Sequence, residues 1–285
     1  MIAVRRVGTG VVLGAAVIGL VLLDGYLGSV LATSGLIIFL GGAALYELYG
    51  MLEDGGHPNH RRFGVVACVS MLFIRAAADP LGLSPSEARE LSLAILAFAS
   101  VGPLALGIAN PPDGGAPGAA DLRRVVSTVF PLVYIGLLTS FLLELRLLPG
   151  PDQLGLTLCF VMALSVKLGD SFAYFVGRTI GRFPMCWVSP KKTWEGALAS
   201  MIGSVAVATS AAFVLDFDPR LMAGFGLISG LAGQGGDLVE SYLKRALDTK
   251  DSAKTFGEMG GALDMVDALL LAAPAGYVWA RLLLV

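Results

Sequence analysis

The sequence predicts an all-α, polytopic membrane protein with about nine transmembrane helices. Three observations carry that reading. Of 285 residues, 55% are hydrophobic and only 15% are charged, whereas soluble domains carry about 25% charged residues. Mean hydropathy is +0.76. Apolar runs of span length recur along the whole chain, and a span needs about 20 such residues.

The first run covers 8–25 and follows Arg5 and Arg6. No small-residue cleavage motif comes after it, so it reads as a retained helix and not as a removed signal. Asp24-Gly25-Tyr26 breaks it from a second run at 30–52. The turn Gly55-Gly56-His57-Pro58-Asn59 leads into 63–79, and Asp79-Pro80 into 91–109. Asn110-Pro111-Pro112-Asp113-Gly114-Gly115 precedes 125–148, and Pro149-Gly150-Pro151-Asp152 precedes 153–177. Runs at 197–216, 220–243 and 260–284 complete the nine, with Asp216-Phe217-Asp218-Pro219 between the first two of these. Such residues end a helix because they supply turn backbone or lack a donor. With no long linker and no repeat, 1–285 reads as a single integral membrane domain.

Lys and Arg set the orientation. With the N-terminus cytoplasmic and nine spans, fourteen of the twenty basic residues fall on the cytoplasmic side and five on the far side. Lys167 lies within a span. The polar loops 178–196 and 244–259 both face the cytoplasm, where nucleotides are. A bacterial inner membrane is the expected location.

The remaining composition excludes several classes. Cys68, Cys159 and Cys186 are widely spaced, so they read as small core residues and form no disulfide framework or zinc site. His57 and His60 share one polar loop and read as a chance pair. The net charge of −2 is spread, not clustered by sign, and no nucleic-acid partner is expected.

Chemistry concentrates in three segments. Lys167-Leu168-Gly169-Asp170-Ser171-Phe172-Ala173-Tyr174 places Asp170 near the cytoplasmic end of the sixth span. Ser189-Pro190-Lys191-Lys192-Thr193-Trp194-Glu195-Gly196 sets two lysines before a helix that Thr193 and Glu195 can cap. A helix N-terminus with lysines beside it suits a phosphate. The third segment runs from Gly236 to Asp267. Asp237, Ser241 and Lys244 share a helical face at i, i+4 and i+7, and Asp264 and Asp267 share one at i and i+3. A charge at the centre of a membrane helix costs about 2.5–3.5 kcal/mol. Asp237, Asp264 and Asp267 together would cost on the order of 8–10 kcal/mol without compensation. A divalent cation or basic partners would supply it. Hard Mg²⁺ favours carboxylates together with substrate phosphates, and acids on two helices beside a basic loop fit phosphoryl chemistry.

The segment Ser241-x-Leu243-Lys244-Arg245-x4-Lys250-Asp251-x-Ala253-x2-Phe256-Gly257-x2-Gly260-Gly261-x2-Asp264-x2-Asp267 resembles the signature of the phosphatidate cytidylyltransferases, the CDP-diacylglycerol synthases. The blocks at Asp170–Tyr174 and Ser189–Gly196, and Glu47 ahead of Tyr49, are similar to other parts of that family. The likeness follows the chain in order and is strongest over 166–267, which carries the signature segments.

The resemblance implies transfer of a cytidylyl group from CTP to phosphatidic acid, giving CDP-diacylglycerol and pyrophosphate with Mg²⁺. It implies Lys244, Arg245, Lys250 and Asp251 in catalysis, Asp170, Ser189, Lys192 and Ser241 in substrate binding, and Asp237, Asp264 and Asp267 as metal ligands. A second cation and a homodimer stay open. The chain departs from the pattern at two points: Met259 stands where the family usually has His, and Met265 where it usually has Arg. A thioether neither ligates a hard metal nor holds a phosphate. A non-catalytic or altered-lipid relative, an isoprenoid-lipid cytidylyltransferase or kinase, and an ion-coupled transporter remain as alternatives.

Overall fold

The structure is a computed structural model and describes residues 19–27, 29–110, 118–150, 153–249, 252–253 and 260–284. Among them the fold is helical, and the one β contact is an isolated bridge between Pro184 and Thr193. Residues 19–27 are helical. The long helices are α1 (Leu31–Asp54), α2 (Arg61–Ala76), α3 (Pro85–Ala109), α4 (Ala119–Arg146), α5 (Leu154–Ile180), α6 (Trp194–Leu215), α7 (Pro219–Ala246) and α8 (Ala262–Leu283). Each overlies one of the apolar runs expected from 30 onward. Most of the run at 8–25 lies outside the described residues.

Among the described residues, six helices are long and apolar enough to cross a membrane: α1, α3, α4, α5, α6 and α8. The protein is therefore a polytopic membrane protein. The other two depart for physical reasons. Helix α2 has 16 residues, about 24 Å at 1.5 Å per residue, against a hydrocarbon core of about 30 Å. Helix α7 is 28 residues long but carries Arg220, Asp237, Glu240, Lys244 and Arg245 among six glycines.

The contacts group the chain into two units, 1–143 with 247–266 and 144–246 with 267–285. In the first, Leu45, Leu48 and Tyr49 of α1 are buried, as are Cys68, Met71 and Leu72 of α2 and Leu132 and Ile135 of α4. The Tyr49 hydroxyl donates to the Thr128 carbonyl at 2.6 Å. The His60 backbone N–H donates to the Thr128 hydroxyl at 2.9 Å. Burial, reinforced by Arg124, holds the His60 imidazole below its ordinary pKa. Local sequence explains the helix ends. Asp24 accepts from Ser29, from the Ala32 and Thr33 amides and from the Thr33 hydroxyl, so it serves the first turn of α1. Ser84 and Glu87 form a capping box on α3, with Pro85 in the first turn. Within α4, Pro131 has no N–H to donate, and a π-helical stretch follows it over Leu132–Leu137.

In the second unit, α5, α6 and α7 pack through small residues, which let membrane helices approach closely. Ser204 on α6 donates to the Ser165 carbonyl of α5 at 3.0 Å. Gly226 and Gly230 of α7 lie against Ser204. Met162, Phe225, Leu270 and Ala273 are buried, and the Trp279 indole donates to the Leu221 carbonyl at 3.0 Å. This packing holds α5, α6 and α7 side by side at the ends where the charged residues stand.

Candidate active site

The hairpin between α5 and α6 is built by its own backbone. Trp194 N–H donates to the Phe183 carbonyl, Met185 N–H to the Lys192 carbonyl and Lys192 N–H to the Ser189 carbonyl, at 3.0, 2.7 and 2.9 Å. Ser189 therefore turns the chain back so that Lys191 and Lys192 stand just ahead of α6. Thr193 caps that helix, accepting from Gly196 N–H at 3.2 Å. Glu195 is turned back onto the Arg182 and Phe183 amides.

A cavity of about 580 Å³ opens beside this hairpin. Its walls include Asp170, Tyr174 and Arg178 of α5, Lys191, Lys192 and Thr193, and Gln234, Asp237 and Leu238 of α7. The volume lies within the range of ligand pockets. Its polar groups carry both signs. Arg178 donates to the Tyr174 hydroxyl at 2.7 Å. The Lys192 ammonium donates to Asp237 Oδ2 at 2.5 Å.

Asp237 also belongs to a cluster of acids. One carboxylate oxygen from each of Asp237, Glu240 and Asp267 lies within 4.8 Å of the others. Glu240 and Asp267 are buried. Three lysines answer them: Lys192 on Asp237, Lys244 on Glu240 at 2.8 Å, and Lys167 on Asp267 at 3.8 Å. Helices α7 and α8 meet closely enough for this because Gly236 has no side chain. A Cβ there would run into the Asp267 carbonyl and the Ala268 Cα. Three hard oxygen donors at this spacing fit a divalent cation, and the ammonium groups beside them fit phosphate oxygens.

Asp264 lies in the other unit. Its Oδ2 accepts from Gly261 N–H and from the Ser252 hydroxyl, both at 2.7 Å. Glu47 of α1 reaches the same place: its two oxygens accept from Ala262 N–H and Leu263 N–H, each at 2.9 Å. Two carboxylates thus serve the amides at the start of α8, where the helix dipole favours anions. A Cβ at Gly261 would press on the ends of the Glu47 and Ser252 side chains, which would have to shift.

The structure thus brings Asp170, Lys192 and Asp237 onto one cavity, and Asp237, Asp267 and Lys244 into one ionic cluster. Ser241 is half-buried one turn beyond Asp237 on α7, and Arg245 is exposed in the last turn of that helix. Lys250, Asp251 and Met259 lie outside the described residues. Sequence reading passed over Glu240, although its place at i+3 from Asp237 and i−4 from Lys244 puts it on their face. It did not single out Gln234, and it took Tyr174 and Arg178 only as parts of a block and a basic loop, since spacing alone does not show that they face Asp237.

Comparison with known proteins gives the lineage. A sequence model described as the cytidylyltransferase family matches residues 4–283. The chain belongs to the cytidylyltransferase family. Among its relatives is phosphatidate cytidylyltransferase 5, chloroplastic, of Arabidopsis thaliana, 27% identical over 302 residues, covering 98% of this chain and 72% of that protein. Phosphatidate cytidylyltransferase 4, chloroplastic, of the same plant is 31% identical over 182 residues, 56% of this chain and 46% of that protein. The phosphatidate cytidylyltransferase of Mycobacterium bovis is 35% identical over 179 residues, 62% of this chain and 57% of that protein. The chain thus spans about half to three-quarters of the length of these relatives. In this family member, the described lining of the cavity and the acid cluster both fall within residues 166–267.

Proposed function

We propose that the protein transfers a cytidylyl group from CTP to phosphatidic acid, releasing pyrophosphate and leaving CDP-diacylglycerol in the membrane. The observation that carries this reading is the junction at Asp237. This residue at once lines the cavity, pairs with Lys192 and belongs to the Asp237–Glu240–Asp267 cluster. A polyphosphate and its cation need those two environments side by side. The names of the relatives supply the substrate class.

In this reading a phosphate oxygen of the lipid attacks the α-phosphorus of CTP, and the bond to the β-phosphate breaks. No strong base is required, because a phosphate monoester is already mostly ionised at neutral pH. The work falls to positioning and electrostatics. Lys191, Lys192 and Arg178 neutralise phosphate oxygens in the cavity. Asp170 and Ser189 line the approach. Lys244 and Arg245 stand at the end of α7 where pyrophosphate would leave, with Ser241 a turn before Arg245, and Lys250 and Asp251 keep the catalytic role that the resemblance implies. Asp237, Glu240 and Asp267 would hold Mg²⁺, which when bound would supply charge neutralisation at the phosphates. The hairpin and the basic end of α7 face the cytoplasm in a nine-span topology, and the membrane is a bacterial inner membrane.

The test is incorporation of labelled CTP into lipid by purified protein with Mg²⁺ and phosphatidic acid. A product that migrates as CDP-diacylglycerol and needs both additions is expected. No labelled lipid from well-folded protein, across phosphatidic acids of several chain lengths, would overturn the reading.

A further inference from the structure

Farther along α6 and α7 than the polar cavity lies an apolar groove. It encloses about 490 Å³ and is lined by Met201, Ile202, Val205 and Thr209 of α6 and Leu227 of α7, with Leu198 at its head. Residues that line the two lie on the same two helices, α6 and α7. On α6, Ala197 lines the cavity, and Met201 and Val205 follow it at i+4 and i+8. On α7, Leu238 and Gln234 line the cavity, and Leu227 stands seven residues before Gln234 on the same face. The Gln234 amide donates to the Ala197 carbonyl at 3.1 Å, tying the two helices together where cavity and groove meet.

Depth and polarity identify the occupant. Trp194 begins α6 and is 58% exposed, as suits an aromatic residue at the membrane–water boundary. Trp187 and Tyr242 pair edge to face, with ring centroids 6.2 Å apart, and both are exposed. The groove runs from Leu198 to Ser210, about 18 Å along the helix at 1.5 Å per residue, close to the depth of one leaflet of a core about 30 Å thick. Its lining carries no charged residue, so it has nothing to offer a nucleotide. Its head, Leu198, follows Ala197 of the cavity wall, and Lys191 and Lys192 stand in that same wall. A ligand filling both parts has an anionic phosphate at one end and a single hydrocarbon chain below it.

We propose that the α6–α7 groove is the acyl-chain subsite of the lipid substrate, holding one fatty acyl chain of a phosphatidate whose phosphate lies at Lys191 and Lys192. The inference rests on the lipid cytidylyltransferase reading and adds the place where the lipid tail is held. Ordinary bulk lipid also lies against exposed membrane helices. If the phosphate is held at Lys191 and Lys192, occupancy of the groove depends on the headgroup, as it does not for bulk lipid.

Two measurements test it. The first uses phosphatidic acid and phosphatidylcholine carrying the same diazirine in one acyl chain, each in vesicles with the full-length protein. The phosphatidic acid probe should label the peptide 198–210 several-fold more than the phosphatidylcholine probe, and unlabelled phosphatidic acid should compete. Equal labelling by both probes would mean bulk lipid and overturn the proposal. The second compares dioleoyl with water-soluble dihexanoyl phosphatidic acid in wild type, Val205→Trp and Ile202→Trp. Ile202 is 62% exposed, so its replacement is compatible with folding. Filling the groove should raise KM for the dioleoyl lipid roughly tenfold, the equivalent of about two buried methylene groups. KM for CTP and the rate with the dihexanoyl lipid should stay as in wild type. An unchanged dioleoyl KM in both variants overturns the groove and leaves the activity standing. Competed labelling in a protein with no turnover supports the groove and overturns the activity.

Discussion

The Lys192 ammonium lies 2.5 Å from the Asp237 carboxylate, across 45 residues of sequence. This pair joins the hairpin ahead of α6 to the acid cluster on α7. Both partners are about 30% exposed, so the pair is worth only about 0–1 kcal/mol as a structural bond. Its consequence is competition, because an ammonium on Asp237 occupies the oxygen that a cation would take. Lys192→Met should therefore lower the Mg²⁺ concentration for half-maximal rate by several-fold, about 1 kcal/mol. It should also lower kcat by on the order of 10²-fold, since one phosphate contact is lost. Titration of Mg²⁺ against initial rate checks both, and a variant that loses rate and cation affinity together would argue against the competition.

The acid cluster predicts three variants that behave alike. Asp237→Asn, Glu240→Gln and Asp267→Asn each remove charge and keep shape. Each should abolish turnover, raise the Mn²⁺ dissociation constant measured by paramagnetic resonance, and leave the amount of protein in the membrane unchanged, since losing a membrane carboxylate eases insertion. Glu240→Gln is the discriminating one. Full activity in it would remove α7's second acid from the site.

Gly236 is predicted to set the gap between α7 and α8. Gly236→Ala places a methyl group against the Asp267 carbonyl and the Ala268 Cα, so the helices must part by some tenths of an ångström. Overpacking of this kind costs about 1–3 kcal/mol. The thermal midpoint in detergent should fall, and turnover should fall with it. Gly235→Ala serves as the control, because its nearest neighbour is the Leu271 side chain at 3.7 Å, an ordinary contact.

Glu47 is predicted to matter for the start of α8. Glu47→Ala leaves the Ala262 and Leu263 amides without this acceptor, and an unsatisfied buried group costs about 1–3 kcal/mol. Glu47→Gln keeps one acceptor oxygen and should cost less. Melting curves of both variants, read beside Asp264→Asn, give the order. Equal stability of all three with wild type would show that the carboxylates do not hold the helix end.

Topology is checked by labelling. With Cys68, Cys159 and Cys186 replaced, single cysteines at Lys191 and at Asp248 should react with an impermeant maleimide from the cytoplasmic side alone. Labelling of the two positions from opposite sides would break the nine-span arrangement and the shared site.

Much of the helical layout was legible in the chain, because hydropathy and turn chemistry are local. The run 30–52 became α1, 91–109 became α3 and 197–216 became α6, each within a few residues except at the amphipathic start of α3, where the Ser84–Glu87 capping box extends the helix to Pro85. Helix α7 was also found, although its glycines and charges keep it below the hydropathy of a simple span. The candidate residues were legible by type and spacing on one helix, as Asp237 and Lys244 were. Pairing between helices was not. Nothing in the spacing says that Lys167 answers Asp267 or that Gln234 ties α7 to Ala197.

The sequence by itself determined an all-α membrane protein and its membership of the cytidylyltransferase family, since composition, periodicity and an ordered signature are properties of the chain alone. The tertiary structure decided which acids meet. Asp237 and Asp267 come together with Glu240 because Gly236 lets two helices touch, while Asp264, three residues before Asp267, turns to the amide of Gly261 and the hydroxyl of Ser252. Spacing fixes the face of a helix on which a carboxylate stands. Whether it meets a lysine, another acid or an orphan N–H depends on what packs against that face, which is set by side chains far away in sequence.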